Sequence, residues 1–223
     1  MKQYITLEKN QTRLRFLKTG DLFEIDSHGM MINQLNGNPL DGSLNQLYLR
    51  VYTSEGIRWA PMIGSNSASK FGYSQHQLTW SGTFLEVQYQ VELQLAEDCW
   101  FWRVQLTGSG KADIIYGQDI GNALKGAVQS NEAYVSQYLD HHVSQDNETI
   151  VVSSRQNQPQ SGKFPLVEQG SFQPLRGYST DGYQFFGRTY KMTDVPQALA
   201  QETLANEVYQ YEFAYIALQT ESY

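Results

Sequence analysis

Cysteine is almost missing from this 223-residue chain: Cys99 is the only one. No intrachain disulfide can form, and a cysteine-based zinc site is excluded. Charge is sparse too. Asp, Glu, Lys and Arg together make up 17% of the residues, and the balance is acidic, 16 Lys plus Arg against 23 Asp plus Glu, for a net charge of −7. No broad basic surface is available to neutralise phosphates, so nucleic acid and anionic membrane surfaces are excluded as expected partners. No apolar run approaches the ~18 residues of a spanning helix. The start, MKQYITLEKNQ, lacks the apolar stretch of a signal peptide. A cytoplasmic protein is expected. No G-x-S-x-G, Walker loop or G-x-G-x-x-G occurs, so serine-hydrolase, nucleotide and dinucleotide chemistry have no support.

What is present is a folding composition, 40% hydrophobic and 13% aromatic. The clearest pattern lies in 84–107. Leu85, Val87, Tyr89, Val91, Leu93 and Leu95 alternate with polar residues. The alternation resumes at Trp100, Trp102, Val104 and Leu106 after the break at Ala96-Glu97-Asp98. Period two means strands with one buried face, and the short polar break predicts an antiparallel hairpin. Further strands are expected at 22–25 and 29–32 around a turn at Asp26-Ser27, and at 47–52, 113–116 and 150–152. The stretch 208–218 carries apolar residues on both faces near its end, which predicts a central strand. One short helix is expected over 196–206, with Pro196 at its first position and Thr193 or Asp194 as cap. No repeat or linker divides the chain, so 1–223 is expected to form one domain.

Two segments break the strand pattern. The first, 117–131, is polar and Gly-containing, and predicts a long loop of the kind that often carries function. The second, 153–163, places Arg155 among amides. Asp119, Glu132 and Asp140 could supply a carboxylate pair for glycoside chemistry, but that chemistry needs a defined separation that spacing does not establish. The preferred reading makes them acceptors for backbone amides. His141 and His142 are neighbours on a strand and point to opposite faces, so with His28 or His76 they do not converge on a metal. One of the pair is expected buried and the other wet. Cys99 is expected to be a buried, unreactive thiol. Trp59, Trp80, Tyr134, Tyr138, Tyr183, Phe185 and Phe186 could stack on sugar rings, but most are expected in the core.

Several motifs in the second half carry a resemblance. They are Tyr116-Gly117-Gln118-Asp119-Ile120-Gly121, the stretch NEAYVSQYLDHH from Asn131 to His142, and Ser154-Arg155-Gln156-Asn157-Gln158-Pro159. After these come Gln169-Gly170-Ser171, 179–187 (STDGYQFFG) and 204–212 (LANEVYQYE). In this order and spacing the chain resembles the N-terminal domain of the 1,2-β-oligoglucan (sophorose) phosphorylases. These glycoside phosphorylases are related to cellobiose phosphorylase and to part of cyclic β-1,2-glucan synthase. The resemblance implies an all-β fold, a large antiparallel β-sandwich of the galactose-mutarotase-like supersandwich type.

In such enzymes the sandwich precedes a helical linker and a catalytic (α/α)6 barrel. The chemistry is inverting. Inorganic phosphate, the co-substrate, attacks the anomeric carbon while a carboxylic acid of the barrel protonates the leaving oxygen; no resident cofactor is implied. The chain stops at Tyr223, so it is expected to be an N-terminal domain without its barrel, holding no catalytic residue of its own and inactive alone. The implied partners are a β-glucan oligosaccharide, the barrel of the same parent chain, and a second subunit in a homodimer whose active site these loops reach. The positions implied to shape the substrate cleft are Asp119, Asn131, Glu132, Tyr134, Gln137, Tyr138 and His141, with Arg155, Gln156 and Asn157. A stand-alone carbohydrate-binding or assembly module is the alternative. A true mutarotase is a weaker one, since it needs an acid and a base converging on one anomeric centre.

Overall fold

The computed structural model describes residues 4–146, 149–188, 195–211 and 213–223. Among them the chain forms seventeen strands, three short α-helices and one 3-10 turn. The strands are β1 (Ile5–Lys9), β2 (Thr12–Phe16), β3 (Leu22–Ser27), β4 (Met30–Met31), β5 (Gln46–Thr53), β6 (Gly56–Pro61), β7 (Lys70–Tyr73), β8 (Gln77–Phe84), β9 (Val87–Leu95), β10 (Trp100–Gly108), β11 (Ala112–Asp119) and β12 (Ala123–Leu124). Helices α1 (Lys125–Ser130) and α2 (Glu132–Ser136) follow, then β13 (Leu139–Asp146), β14 (Thr149–Gln156), β15 (Leu166–Gly170) and β16 (Leu175–Asp181). Helix α3 (Gly182–Phe186), the 3-10 turn (Gln197–Ala200) and β17 (Ala214–Thr220) complete the order. Among the described residues no helix is long and apolar enough to cross a membrane.

The strands sort into four antiparallel sheets, ordered β1-β2-β3-β4-β12, β10-β9-β8-β7, β16-β17-β11-β5-β6 and β13-β14-β15. The third is covered on both faces. On one side Leu47, Leu49, Val51 and Ile114 join a large core with Leu14, Phe16, Trp80, Val91 and Leu93 of the first two sheets. Farther along, Ile216 and Leu218 of β17 meet Leu139, Ile150 and Val152 of the fourth sheet. On the opposite side Tyr48, Ile115, Tyr215 and Ala217 pack beneath Phe185, Phe186, Leu199 and Leu204. Alternate residues of β5, β11 and β17 therefore enter different cores, as the pleat requires.

The hairpin β9–β10 forms as its alternation predicts, with Val91 opposite Val104. Val87, Tyr89, Val91 and Leu93 are buried. Leu85 is not: it has φ +52° in the turn after β8 and is exposed. The first hairpin turns two residues later than expected, at His28 and Gly29, because both have positive φ (52° and 80°). That geometry matches the twist of the flanking strands. β17 is central, but it starts only at Ala214, not near 208. The helix expected over 196–206 shortens to the 3-10 turn Gln197–Ala200, and its expected caps, Thr193 and Asp194, lie outside the described residues. The expected loop 117–131 instead holds the end of β11, then β12 and α1. Of 153–163, the first residues through Gln156 belong to β14. Cys99 lies in the β9–β10 connection and is exposed, against the expectation of a buried thiol.

A buried ion pair fixes the segment after the 3-10 turn. Arg50 donates from Nε and Nη2 to the two carboxylate oxygens of Asp113 at 2.7 and 2.6 Å. Its guanidinium also donates to the carbonyls of Leu199, Gln201 and Glu202. Gln219 Nε2 donates to Asp113 (2.8 Å) and to the Glu202 carbonyl (2.9 Å). These carbonyls, turned toward Arg50, are unavailable for a helical ladder, which explains why the helix stops after one turn.

Candidate functional site

The segment from β12 to β14 makes a corner of the molecule, and most of the expected site residues meet there. Asn131 caps α2, its Oδ1 accepting from the Tyr134 N–H at 2.9 Å, with Glu132 in the first turn. The i, i+4 spacing brings Tyr134 and Tyr138 to one side. Their ring centroids are 5.1 Å apart, edge to face. Tyr138 Oη donates to Tyr134 Oη at 3.1 Å, and that bond raises the Tyr138 pKa. Both rings are exposed, as are Asn131, Gln137 and Asn157.

Buried groups hold this corner in place. Gln156 Nε2 donates to the Val135 carbonyl (3.1 Å), and its Oε1 accepts from the Gln158 N–H (3.0 Å). The Asn157 N–H donates to the Tyr138 carbonyl at 2.8 Å. Ser136 Oγ accepts from the Ala214 N–H (2.9 Å), docking α2 on the central sheet. Asn122 Nδ2 reaches the carbonyls of Ser154 (3.2 Å) and Pro165 (2.9 Å). The two segments that break the strand pattern thus brace each other.

Arg155 is on β14, opposite Asp140 in the register, and is exposed. Its guanidinium carbon sits 5.2 Å over the Phe164 ring. Among the described residues no ion pair joins it to Glu132 or Asp140. It faces outward.

Asp119, Gln156 and His141 are inside the fold. Asp119 Oδ2 accepts from the Leu35 N–H at 2.7 Å, the backbone-acceptor role expected for it. Burial pushes its carboxyl up to about 6, against the amides that hold it. His141 shares a 2.8 Å hydrogen bond between Nδ1 and Ser154 Oγ, and burial lowers its pKa to about 4. His142 is exposed, so the pair splits between inside and outside as expected. The motif around Gly117 is likewise internal. Asn45 Nδ2 donates to Tyr116 Oη (3.1 Å), and Tyr116 Oη donates to Gln118 Oε1. A Cβ at Gly117 would collide with the Tyr215 hydroxyl, which itself reaches the Leu44 carbonyl at 3.0 Å.

The residue-level reading missed one concave surface. An open cleft of about 430 Å³ is lined by Asp181, Tyr183, Arg188, Tyr209, Gln210 and Tyr211. The resemblance motifs 179–187 and 204–212 contain all of these residues except Arg188, and among them only Tyr183 stood in the list of aromatics that could stack on sugar. The density of tyrosine in 204–212 was the available clue.

A family model described as the SOGP N-terminal domain matches residues 15–223. A protein of Listeria innocua named 1,2-beta-oligoglucan phosphorylase is 35% identical over 215 residues, 96% of this chain. The chain spans 20% of that protein's length.

Proposed function

Because the chain belongs to the SOGP N-terminal domain family, we propose that it is the substrate-shaping N-terminal domain of an inverting phosphorylase of β-linked oligoglucans. The observation that carries this reading is the 35% identity to an oligoglucan phosphorylase, which runs through nearly the whole chain. In this reading the linkage cleaved is β-1,2 and the product is glucose 1-phosphate. Inorganic phosphate is the attacking group, and the general acid belongs to a helical barrel outside these residues. The sheets form a mutarotase-like supersandwich, a reading supported by the apolar cores that residues of different sheets share.

The domain's part is positioning. The ledge of Tyr134 and Tyr138 offers two flat apolar faces beside the amides of Gln137 and Asn157, a combination that suits the faces and hydroxyls of sugar rings. Asp119 and Gln156 act through the backbone they hold and His141 through the Ser154 hydroxyl, and Arg155 adds an outward fork of donors. In a homodimer, this corner would border the neighbouring subunit's cleft.

The test uses the protein from the complete reading frame. It is incubated with inorganic phosphate and β-1,2-, β-1,3- or β-1,4-linked gluco-oligosaccharides, and glucose 1-phosphate is measured. Phosphate-dependent release from the β-1,2 series is expected. No release from any of the three would overturn the assignment.

A further inference from the structure

The cleft at Asp181 is built more firmly than an open surface needs. Tyr209 is clipped to Thr180, whose Oγ1 accepts from the Tyr209 N–H (2.8 Å) and donates to its carbonyl (2.9 Å). Thr180 is fully buried. Residues 206–209 therefore run beside β16 as a pinned strap, with the Asn206 N–H on the Tyr178 carbonyl at 3.0 Å and Asn206 Oδ1 on the Tyr178 N–H at 2.9 Å. Tyr183 stands edge-on to Phe213 (5.8 Å, 85°), and Phe213 stacks on the buried Phe186 (5.7 Å, 6°). Gly182 permits this: a Cβ there would enter the Phe213 ring. Gly187, at φ +83°, turns the chain so that Arg188 reaches the same cleft.

Even so, the three tyrosine rings stay in solvent, 46% exposed at Tyr183, 50% at Tyr209 and 62% at Tyr211. Tyr183 and Tyr209, held on pinned backbone yet left wet, are matched with the neighbouring Tyr211 to a ligand with apolar faces. The polar groups narrow its class. Asp181 is largely buried and its carboxylate accepts from the Gln184 N–H at 2.8 Å. It offers acceptor oxygens beside the Arg188 donors and the Gln210 amide. A carboxylate and a guanidinium in one cleft cancel in charge, so a phosphate dianion gains little there, whereas vicinal hydroxyls need donors and acceptors side by side. The volume falls within the range of small-ligand sites, roughly 300–1,000 Å³.

We propose that the cleft lined by Asp181, Tyr183, Arg188, Tyr209, Gln210 and Tyr211 is a carbohydrate subsite that seats a glucose unit of a β-linked glucan. The proposal rests on the glucan reading of the family and adds a second sugar-contacting surface to the Tyr134–Tyr138 ledge. The tyrosine faces cover the C–H faces of the ring, while Asp181 and Arg188 bracket adjacent hydroxyls.

The experiment titrates the 223-residue chain with a β-1,2-linked gluco-tetraose, an α-1,4-linked tetraose and inorganic phosphate, by calorimetry and by amide chemical shifts. Saturable binding of the β-linked tetraose is expected, with shifts at 180–188 and 206–211. Tyr183→Ala and Tyr211→Ala should each weaken it at least tenfold with melting curves unchanged. Tyr211→Phe should retain it, and Arg188→Ala should weaken it. Absence of saturable binding, binding that the two alanine variants leave untouched, or tighter binding of phosphate than of glucan would overturn the proposal. So would alanine variants that keep glucan binding but lose attachment to the remainder of the parent enzyme, since that makes the cleft a protein-docking surface. Phosphorolysis by the whole protein is read separately, so the subsite can fail while the family function stands.

Discussion

Asp119 and His141 bury titratable groups with opposite effects on acid stability. The folded Asp119 value of about 6 lies above its ordinary 3.8. Its contribution is therefore fully present below pH 3.8 and lost as pH rises through 6. The folded His141 value of about 4 lies below 6.5, so its contribution is present above pH 6.5 and lost as pH falls through 4. Each shift spans about two pH units, on the order of 3 kcal/mol, and the two offset each other between pH 4 and 6. Asp119→Asn should therefore lose stability more steeply than the wild type as pH falls from 6 to 4, and His141→Gln less steeply. Thermal melts across that range test this, and curves parallel to the wild type would contradict it. Arg50→Ala strands the Asp113 carboxylate in the core and should cost about 3–5 kcal/mol, read by urea unfolding. Arg155→Ala removes an exposed side chain that lies over the exposed Phe164 ring, and its melting temperature should match the wild type. A sharply lowered one would make Arg155 a structural brace.

At the level of elements, β9 is the most exacting case. Val91 is fully buried among three sheets. Val91→Asp should abolish cooperative folding, because an unpaired buried carboxylate costs several kcal/mol, comparable with a whole domain's stability. A native-like circular dichroism melt would show the register to be wrong. The hairpin was legible in sequence because strict alternation has one physical cause, a sheet with one wet face. The bordering turn was not, since nothing in Leu85 signals its positive φ. Helices α1 and α2 are six and five residues long, and each buries only one or two side chains, Val128 in one and Val135 and Ser136 in the other. That is too little for a helical period to show. The strap before β17 read as strand because it is rich in tyrosine and valine, but its backbone partners are Thr180 and Tyr178, not a ladder. The helix lost after Ala200 depended on Arg50, about 150 residues away in the chain, a contact that no local pattern encodes. At the candidate site, Tyr134 and Tyr138 were marked by the resemblance, whereas their pairing beside α2 and the inward turn of Asp119, Gln156 and His141 required the fold.

For the whole molecule, the central claim is that this domain shapes the glucan site of a phosphorylase without supplying the reacting groups. A positioning role affects one substrate and spares the other. The direct measurement is steady-state phosphorolysis of a β-1,2-linked gluco-oligosaccharide by the complete protein, wild type and Tyr134→Ala/Tyr138→Ala, with both substrates varied. The account predicts phosphate-dependent glucose 1-phosphate from the complete protein and none from the 223-residue chain alone. In the double variant the KM for the oligoglucan should rise about tenfold, a loss of ~1.4 kcal/mol in binding, while the KM for phosphate stays unchanged. Glucose 1-phosphate released by the isolated chain, or a double variant whose oligoglucan KM equals the wild type's, would contradict it.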